Sequence, residues 1–133
     1  MTLPDTNEVI LAYLLTQPVA TLVSDRIMSP RLYENCDLPA ISFFTRGGTS
    51  TPYIPGIPTP SVQFDCWADN PIEAREVYRS LYDALQGIQN VKVTIPPTDY
   101  YILSALEEIQ GQDLIDEIQG YFRVLAFFEL KIR

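Results

Sequence analysis

The sequence has no histidine among its 133 residues. Histidine is the commonest general base and the commonest metal ligand, so its absence removes every Ser-His-Asp or Cys-His catalytic arrangement. The sequence also lacks the GxxxxGK(S/T) and GxGxxG patterns of phosphate-binding loops. We therefore predict that the chain is not an enzyme and that it holds no cofactor and no metal ion.

Cysteine is scarce as well, with only Cys36 and Cys66 present. The two form no CxxC pair, and a small secreted scaffold would normally carry more cysteines than this. We interpret both as buried thiols, with a disulfide between them as the alternative.

Long apolar runs are also missing. No stretch approaches the roughly 18 residues that would span a bilayer, and the first residues lack the basic-then-apolar pattern of a signal peptide. We expect a soluble protein made in the cytoplasm and no membrane partner. The length, the 47% apolar content and the 20% charged content indicate a single globular domain over residues 1–133.

Basic residues are few, with nine Lys and Arg against 17 Asp and Glu and a net charge of −8. No cation occurs between Lys92 and Arg123, where Asp113, Asp116 and Glu117 lie. Because DNA-binding proteins neutralise phosphates with Lys and Arg, we expect no specific binding of DNA. The acidic surface either keeps the protein soluble or forms a wall past which DNA slides without sticking.

The most informative segment that is present covers residues 46–60. It holds four prolines and three glycines, so we predict that it neither continues the flanking strands nor folds as a helix. Loops of this length in small domains are usually functional or disordered. We interpret the segment as an extended arm that docks onto another molecule.

Two strands are predicted on either side of this arm, over residues 40–45 and 61–68. In the second strand apolar and polar side chains alternate, which is typical of a sheet with one buried face. The alternation places Trp67 on the other face, where the indole is either a partly covered surface residue or an anchor for a neighbouring subunit.

Helices are predicted at both ends of this region. Asp5 caps the first helix, which we expect to end at Pro18. Residues 19–28 are read as a short helix or turn followed by a connecting segment. The central helix, residues 71–86, begins after Asp69 or Asn70 and exits at Gly87, and its apolar side should cover one face of the sheet.

The last third of the chain predicts strands over residues 91–95, 100–109 and 121–132, with an acidic connection over residues 110–120. The even positions of the terminal strand are continuously apolar and belong to the core. Its odd positions should face solvent, but Leu125 and Phe127 do not suit that. Either a second helix covers these two side chains or they form a subunit interface.

Several of these segments together resemble the tail terminator, or tail completion, proteins of long-tailed bacteriophages. The resemblance lies in the segment Asp37-Leu-Pro-Ala-Ile-Ser-Phe43, the strand Val62-Gln-Phe-Asp-Cys-Trp-Ala68, and the helix that opens Ile72-Glu-Ala and closes Ala84-Leu-Gln-Gly87. The closing strand Tyr121-Phe-Arg-Val-Leu-Ala-Phe-Phe128 resembles the family too. The likeness covers about residues 6–132, and its motifs are structural rather than catalytic.

The resemblance implies an α/β fold of the α+β type. We expect a mostly antiparallel sheet with helices packed on it and a long extended loop between two strands. It also implies a homo-oligomeric ring, a hexamer, that caps the tail tube, ends its polymerisation and joins it to the head connector. The implied partners are further copies of the chain, the tail tube protein and the head-tail connector protein, with DNA passing through without specific binding.

We assign the contacts of such a ring to the arm and to the second face of the sheet. The predicted subunit and tube contacts are Thr49, Pro52, Tyr53, Ile54, Ile57, Trp67, Leu125 and Phe127. The predicted channel wall consists of Asp113, Asp116 and Glu117. The alternative from another functional class is a small α/β ligand-binding or regulatory domain, which requires a concave apolar pocket.

Overall fold

The computed structural model describes residues 5–32, 37–49, 58–116 and 121–133. These residues form three helices and six strands. In chain order the elements are α1 (Thr6–Leu14), α2 (Pro18–Leu22), β1 (Ile27–Met28), β2 (Ala40–Thr49), β3 (Thr59–Ala68), α3 (Pro71–Leu85), β4 (Gln89–Ile95), β5 (Thr98–Asp116) and β6 (Tyr121–Ile132).

All six strands belong to one sheet in the order β1-β2-β3-β6-β5-β4. The short β1 pairs in parallel with β2, and the other four pairs are antiparallel. The prediction of an α+β fold with a mostly antiparallel sheet is therefore confirmed.

One face of the sheet carries the hydrophobic core. Phe64 in β3 lies opposite Phe43 in β2 and Ala126 in β6. Its ring centroid is 5.5 Å from that of Phe43 and 5.6 Å from that of Phe128. The side chains predicted for this face in β3 and β6 are buried, apart from a partly buried Phe122: they are Val62, Phe64, Cys66, Ala68, Val124, Ala126, Phe128, Leu130 and Ile132.

The helices contribute their buried side chains to the same cluster, including Ile10, Leu14, Val77 and Leu81. Full burial of such a side chain stabilises the fold by about 1.5 to 3 kcal/mol. The Tyr13 hydroxyl also donates to the carbonyl oxygen of Ala84, which ties α1 to α3.

The helix ends follow the sequence closely. The Asp5 carboxylate accepts a hydrogen bond from the Glu8 amide, and the Asn70 side chain accepts one from the Glu73 amide at 2.8 Å. Gly87 follows α3 with φ +78°, a conformation that suits glycine. The expected role of Pro18 was wrong: α1 ends at Leu14, and Pro18 begins α2, where its missing amide hydrogen costs nothing.

The expectation that residues 46–60 cannot continue the strands was also wrong at both ends. Strand β2 runs to Thr49, and β3 begins at Thr59. Gly47 and Gly48 take φ values of +100° and +145°, and the register shifts between Thr45 and Gly48. The two glycines therefore form a bulge that lets pairing resume, while residues 50–57 lie outside the described ranges.

The acidic connection predicted over residues 110–120 was wrong as far as Asp116. Strand β5 continues through this stretch and pairs with β6 down to Asp116 opposite Tyr121. The register shifts near Ile109 on both sides, which accommodates the irregular sequence. Residues 117–120 are outside the described part of the chain.

Cys66 is a buried free thiol, as predicted. Burial, with a smaller contribution from the neighbouring Asp65, raises the pKa of this thiol far above its usual range. Cys36 falls outside the described residues.

Candidate interface surfaces

The face of the sheet opposite the core is the first candidate surface, and we call it the outer face. In the strand register, side chains from three neighbouring strands lie side by side here. The buried side chains of α1, α2 and α3 all belong to the core cluster, whereas Leu125 and Phe127 do not. The outer-face residues of β2, β3 and β6 include Ser42, Phe44, Gln63, Asp65, Trp67, Arg123, Leu125 and Phe127.

Guanidinium groups partly cover the two large aromatic rings of the outer face. The guanidinium carbon of Arg46 lies 4.2 Å from the ring centroid of Phe127. That of Arg123 lies 5.1 Å from the ring of Trp67, whose Nε1–H donates to Ser42 Oγ at 3.0 Å. Both rings are half-buried, so they are held in place while part of their apolar area stays accessible.

A buried carboxylate lies at the centre of the outer face. Asp65 is only 4% exposed, and its Oδ1 atom is 3.6 Å from Arg123 Nη1 but accepts no hydrogen bond from any described residue. Gln63 Nε2 donates to Oδ2 at 3.4 Å. Burial raises the pKa of Asp65, and this effect outweighs the opposite effects of Arg123 and Gln63.

The apolar surface continues from β6 onto β5. Ile109 lies opposite Phe127, and Leu106 lies opposite Glu129, so both share the outer face. Their side chains are 51% and 56% exposed. Leu106 and Ile109 could not be assigned to this face from the sequence, because only the irregular register of β5 decides which way they face.

A second candidate surface lies where α3 runs along β5. Strand β4 pairs with β5 only as far as Ser104. Beyond that point, side chains of α3 and of Gln86, which directly follows α3, bond two of the β5 amides. Gln86 Oε1 accepts from the Glu107 amide at 2.7 Å, and the Tyr78 hydroxyl accepts from the Gly111 amide at 3.1 Å. The same hydroxyl donates to Glu107 Oε2 at 2.5 Å, and burial followed by this bond raises the pKa of Tyr78 to about 12.

The predicted channel residues fall partly on this surface. Asp113 lies in β5, and its Oδ2 atom is 2.5 Å from Arg75 Nη2 of α3. Hydrogen bonds from Arg75 lower the pKa of this carboxyl. Asp116 is the last residue of β5, and Glu117 is outside the described ranges. Their assignment to a channel wall stays a prediction.

The predicted arm contacts lie mostly beyond the described residues. Thr49 ends β2, where its backbone pairs with that of Thr59. Pro52, Tyr53, Ile54 and Ile57 belong to the stretch that is not described, so their role as contacts also stays a prediction.

Within the described ranges, no three acidic or cysteine side chains are grouped so that they could hold a metal ion. The same residues include no helix with the length and apolar character needed to cross a membrane.

Known proteins resemble this chain in fold but not in sequence. No protein-family model matches this chain, and no curated protein matches it. Among solved structures, a chain of the virion of a native gene transfer agent particle is similar over 96% of this chain and 97% of its own length, with a TM-score of 0.62. The two sequences are 11% identical, so the likeness shows a shared fold.

Proposed function

We propose that this chain is a structural virion protein that forms a hexameric ring at the head-proximal end of a phage-like tail. The ring caps the tail tube, ends its polymerisation and joins it to the head connector. Its partners are other copies of itself, the tube protein and the connector protein. This role involves no catalysis and no cofactor, and the chain is made in the host cytoplasm before it enters the virion.

The observation that carries the proposal is the fold shared with a virion chain over nearly the whole length of both proteins. The sequence patterns that resemble tail terminator proteins fall on β2, β3, α3 and β6 of that shared fold. Two independent indications therefore favour the same class of structural protein.

The outer face supplies the lateral contact of the proposed ring. It presents half-buried or exposed apolar side chains at Leu125, Phe127 and Ile109. A ring needs heterologous contacts, in which one surface of a copy meets a different surface of the next. Such a face can meet a different surface on the next copy without being self-complementary.

The ligand-binding alternative requires a pocket with a mainly apolar lining. A cleft of about 440 Å³ lies beside α3, but Arg75, Arg79 and Asp113 are among its lining residues. This lining favours a surface contact over capture of an apolar small molecule.

The proposal is tested by assembling tail tubes from the tube protein with and without this chain. We expect capped tubes of limited length when the chain is present, and rings at tube ends in electron micrographs. A chain that stays monomeric and neither binds tubes nor limits their length contradicts the proposal.

The role of the outer face is tested in the same assay with Phe127→Glu. We expect a larger monomer fraction by native mass spectrometry, because a carboxylate replaces apolar contact area. Lys131→Glu is the matched control, since it adds a carboxylate at an exposed position of the same strand and face. A large loss of thermal stability in Phe127→Glu would instead show that the Phe127 side chain is packed inside the protomer.

A further inference from the structure

A cleft lies between α2 and α3 on the helix side of the molecule, and we call it the α2–α3 cleft. It has a volume of about 300 Å³. Pro39 and Asn70 line it, so it lies at the end of the sheet where β2 begins and β3 ends. Leu22 and Ile72 also line it and are 45% and 68% exposed. Large apolar side chains exposed around one cleft gain free energy when a partner covers them.

The charge of the α2–α3 cleft is negative. Glu73 and Glu76 line it, and none of the described lining residues is basic. The Glu73 carboxylate accepts a hydrogen bond from the Asn70 side chain at 3.2 Å. The Glu76 carboxylate is exposed and forms no hydrogen bond or ion pair with any described residue. The cleft therefore offers apolar side chains beside one carboxylate that has no partner among the described residues.

The outer face offers the complementary charge. Arg46 is exposed, its guanidinium group covers the Phe127 ring, and it forms no ion pair with any described residue. Arg123, by contrast, already lies 3.6 Å from the Asp65 carboxylate. Arg46 is therefore the cation of this face that is open to a carboxylate from another molecule. Opposite charges brought together across an interface steer association and fix the register of the two partners.

The spacing of the groups on the two surfaces agrees. Leu125 is two residues from Phe127 on the same face of β6, so the two side chains are about 7 Å apart. Ile72 and Glu76 are one turn apart on α3, or about 6 Å along the helix. Ile72 placed over Leu125 therefore brings Glu76 close to the guanidinium group over Phe127. Glu129, the one carboxylate of β6, lies on the far side of Phe127 from Leu125 and stays outside this contact.

We propose that the α2–α3 cleft of one copy packs on the outer face of the next copy, with Ile72 against Leu125 and Glu76 paired with Arg46. This inference rests on the proposed ring and names the second surface of its lateral contact. The two surfaces differ, so the contact is heterologous, as closure of a ring requires. The apolar contact supplies most of the affinity, and the ion pair sets how the two copies align.

The first test places a photo-crosslinker in the cleft of the full chain by Ile72→p-benzoylphenylalanine. Equal amounts of ¹⁴N- and ¹⁵N-labelled protein are mixed, left to assemble and irradiated. We expect crosslinks to β6 near Leu125, and about half of them should join a light chain to a heavy one. Crosslinks only within single chains, or only to other surfaces, overturn the inference.

The second test exchanges the two charges with Glu76→Arg, Arg46→Glu and the double variant. We expect each single substitution to raise the dissociation constant of the oligomer at least tenfold, because it brings like charges together. The double variant should bind more tightly than either single variant, since it restores an opposite pair. Native mass spectrometry over a dilution series measures these constants. Unchanged constants in the single variants, or a double variant that binds no better than they do, overturn the inference.

The matched control for Glu76→Arg is Asp83→Arg. Asp83 is an exposed carboxylate two turns further along the same side of α3, and it does not line the cleft. We expect the dissociation constant of this variant to match that of the parent chain. The unfolding midpoints in urea should stay close to that of the parent in every variant, because all the substituted side chains are exposed. An equal rise of the dissociation constant in Asp83→Arg overturns the specific pairing.

These outcomes separate the inference from the proposed function. Rings that limit tube length but crosslink through other surfaces overturn this contact alone. Oligomers that show the expected crosslinks but neither bind tail tubes nor limit their length support the contact and contradict the role in the tail.

Discussion

The two faces of the sheet are stabilised in different ways. On the core face, Phe43, Phe64 and Phe128 are fully buried in one cluster with side chains of the helices. On the outer face, Trp67 and Phe127 are half-buried beneath guanidinium groups. Apolar burial scales with area and dominates stability, whereas a cation over an exposed ring contributes little.

The core face and the outer face differ in how much apolar area they leave available for assembly. In β3 and β6 the core face has little apolar area left to offer, because its described side chains are buried apart from a partly buried Phe122. The outer face keeps apolar area that is ordered but not fully covered. Substitutions on the two faces should therefore separate folding from association.

The largest expected effect is on the core face, from Phe64→Ala. We expect the free energy of unfolding to fall by about 3 to 5 kcal/mol, because the change leaves a cavity between two other rings. Urea denaturation followed by circular dichroism measures it. Phe127→Ala is the matched control, with an expected loss below about 1.5 kcal/mol. Equal losses at the two positions would show that the outer face is as well packed as the core.

The next effect is expected where α3 meets β5, from Gly111→Ala. A Cβ atom at Gly111 would lie 2.8 Å from Tyr78 Cζ and 2.8 Å from Val124 Cγ1. We expect a loss of about 1 to 3 kcal/mol from the forced displacement. The loss should shrink when the same change is made in a Tyr78→Ala background. An equal loss in both backgrounds would exclude the tyrosine ring as the cause.

A smaller effect, which depends on pH, is expected from Asp65→Asn on the outer face. Burial raises the pKa of Asp65 above its ordinary value of 3.8. The stabilising contribution of this group is therefore present below that value and lost as the pH rises through the folded pKa. Because asparagine stays neutral, the variant should gain stability over the parent chain at pH 7 and lose that advantage near pH 3.

Thermal unfolding at the two pH values measures this difference. Asp99→Asn is a useful contrast, because the hydrogen bonds from Thr94 and Lys92 lower the pKa of Asp99. Its variant should lose stability at pH 7 instead. Destabilisation of Asp65→Asn at pH 7 would show that the ion pair with Arg123 outweighs the cost of burial.

The smallest effect is expected from Arg46→Ala. Loss of the guanidinium group over Phe127 should reduce the free energy of unfolding by about 0.5 to 1 kcal/mol. Chemical denaturation of the parent, Arg46→Ala, Phe127→Leu and the double variant forms a complete cycle. A coupling near zero would mean that the two side chains merely lie close together.

Much of the fold could be predicted because local patterns agreed with tertiary packing. The alternation of Val62, Phe64, Cys66 and Ala68 gave the buried face of β3, and Asn70 with Gly87 gave the bounds of α3. In these elements the periodicity of the sequence and the burial of the side chains point the same way.

Two of the wrong predictions concern residues whose local signals were overridden by partners elsewhere in the chain. Gly111 and its acidic neighbours are typical of a loop, yet Tyr78 packs on this glycine and Arg75 pairs with Asp113 within a strand. Gly47 and Gly48 are typical of a strand end, yet they form a bulge after which pairing resumes.

The candidate surfaces were predicted less completely than the fold. Leu125, Phe127 and Trp67 could be identified because they break the alternation of polar residues. Ile109 and the surface where α3 runs along β5 could not, because their exposure depends on register shifts and on the placement of the helix. No local sequence pattern indicates either the register shifts or the placement of the helix.

The bonds from Gln86 and Tyr78 to the amides of Glu107 and Gly111 have a consequence for how copies can associate. An open strand edge invites another chain to extend the sheet indefinitely, which leads to fibres and aggregates. Here the side chains of Tyr78 and Gln86 occupy two of the backbone donors that such an added strand would need. Addition of further strands is therefore disfavoured along this edge of β5. This favours a closed assembly of defined size over open-ended growth of the sheet.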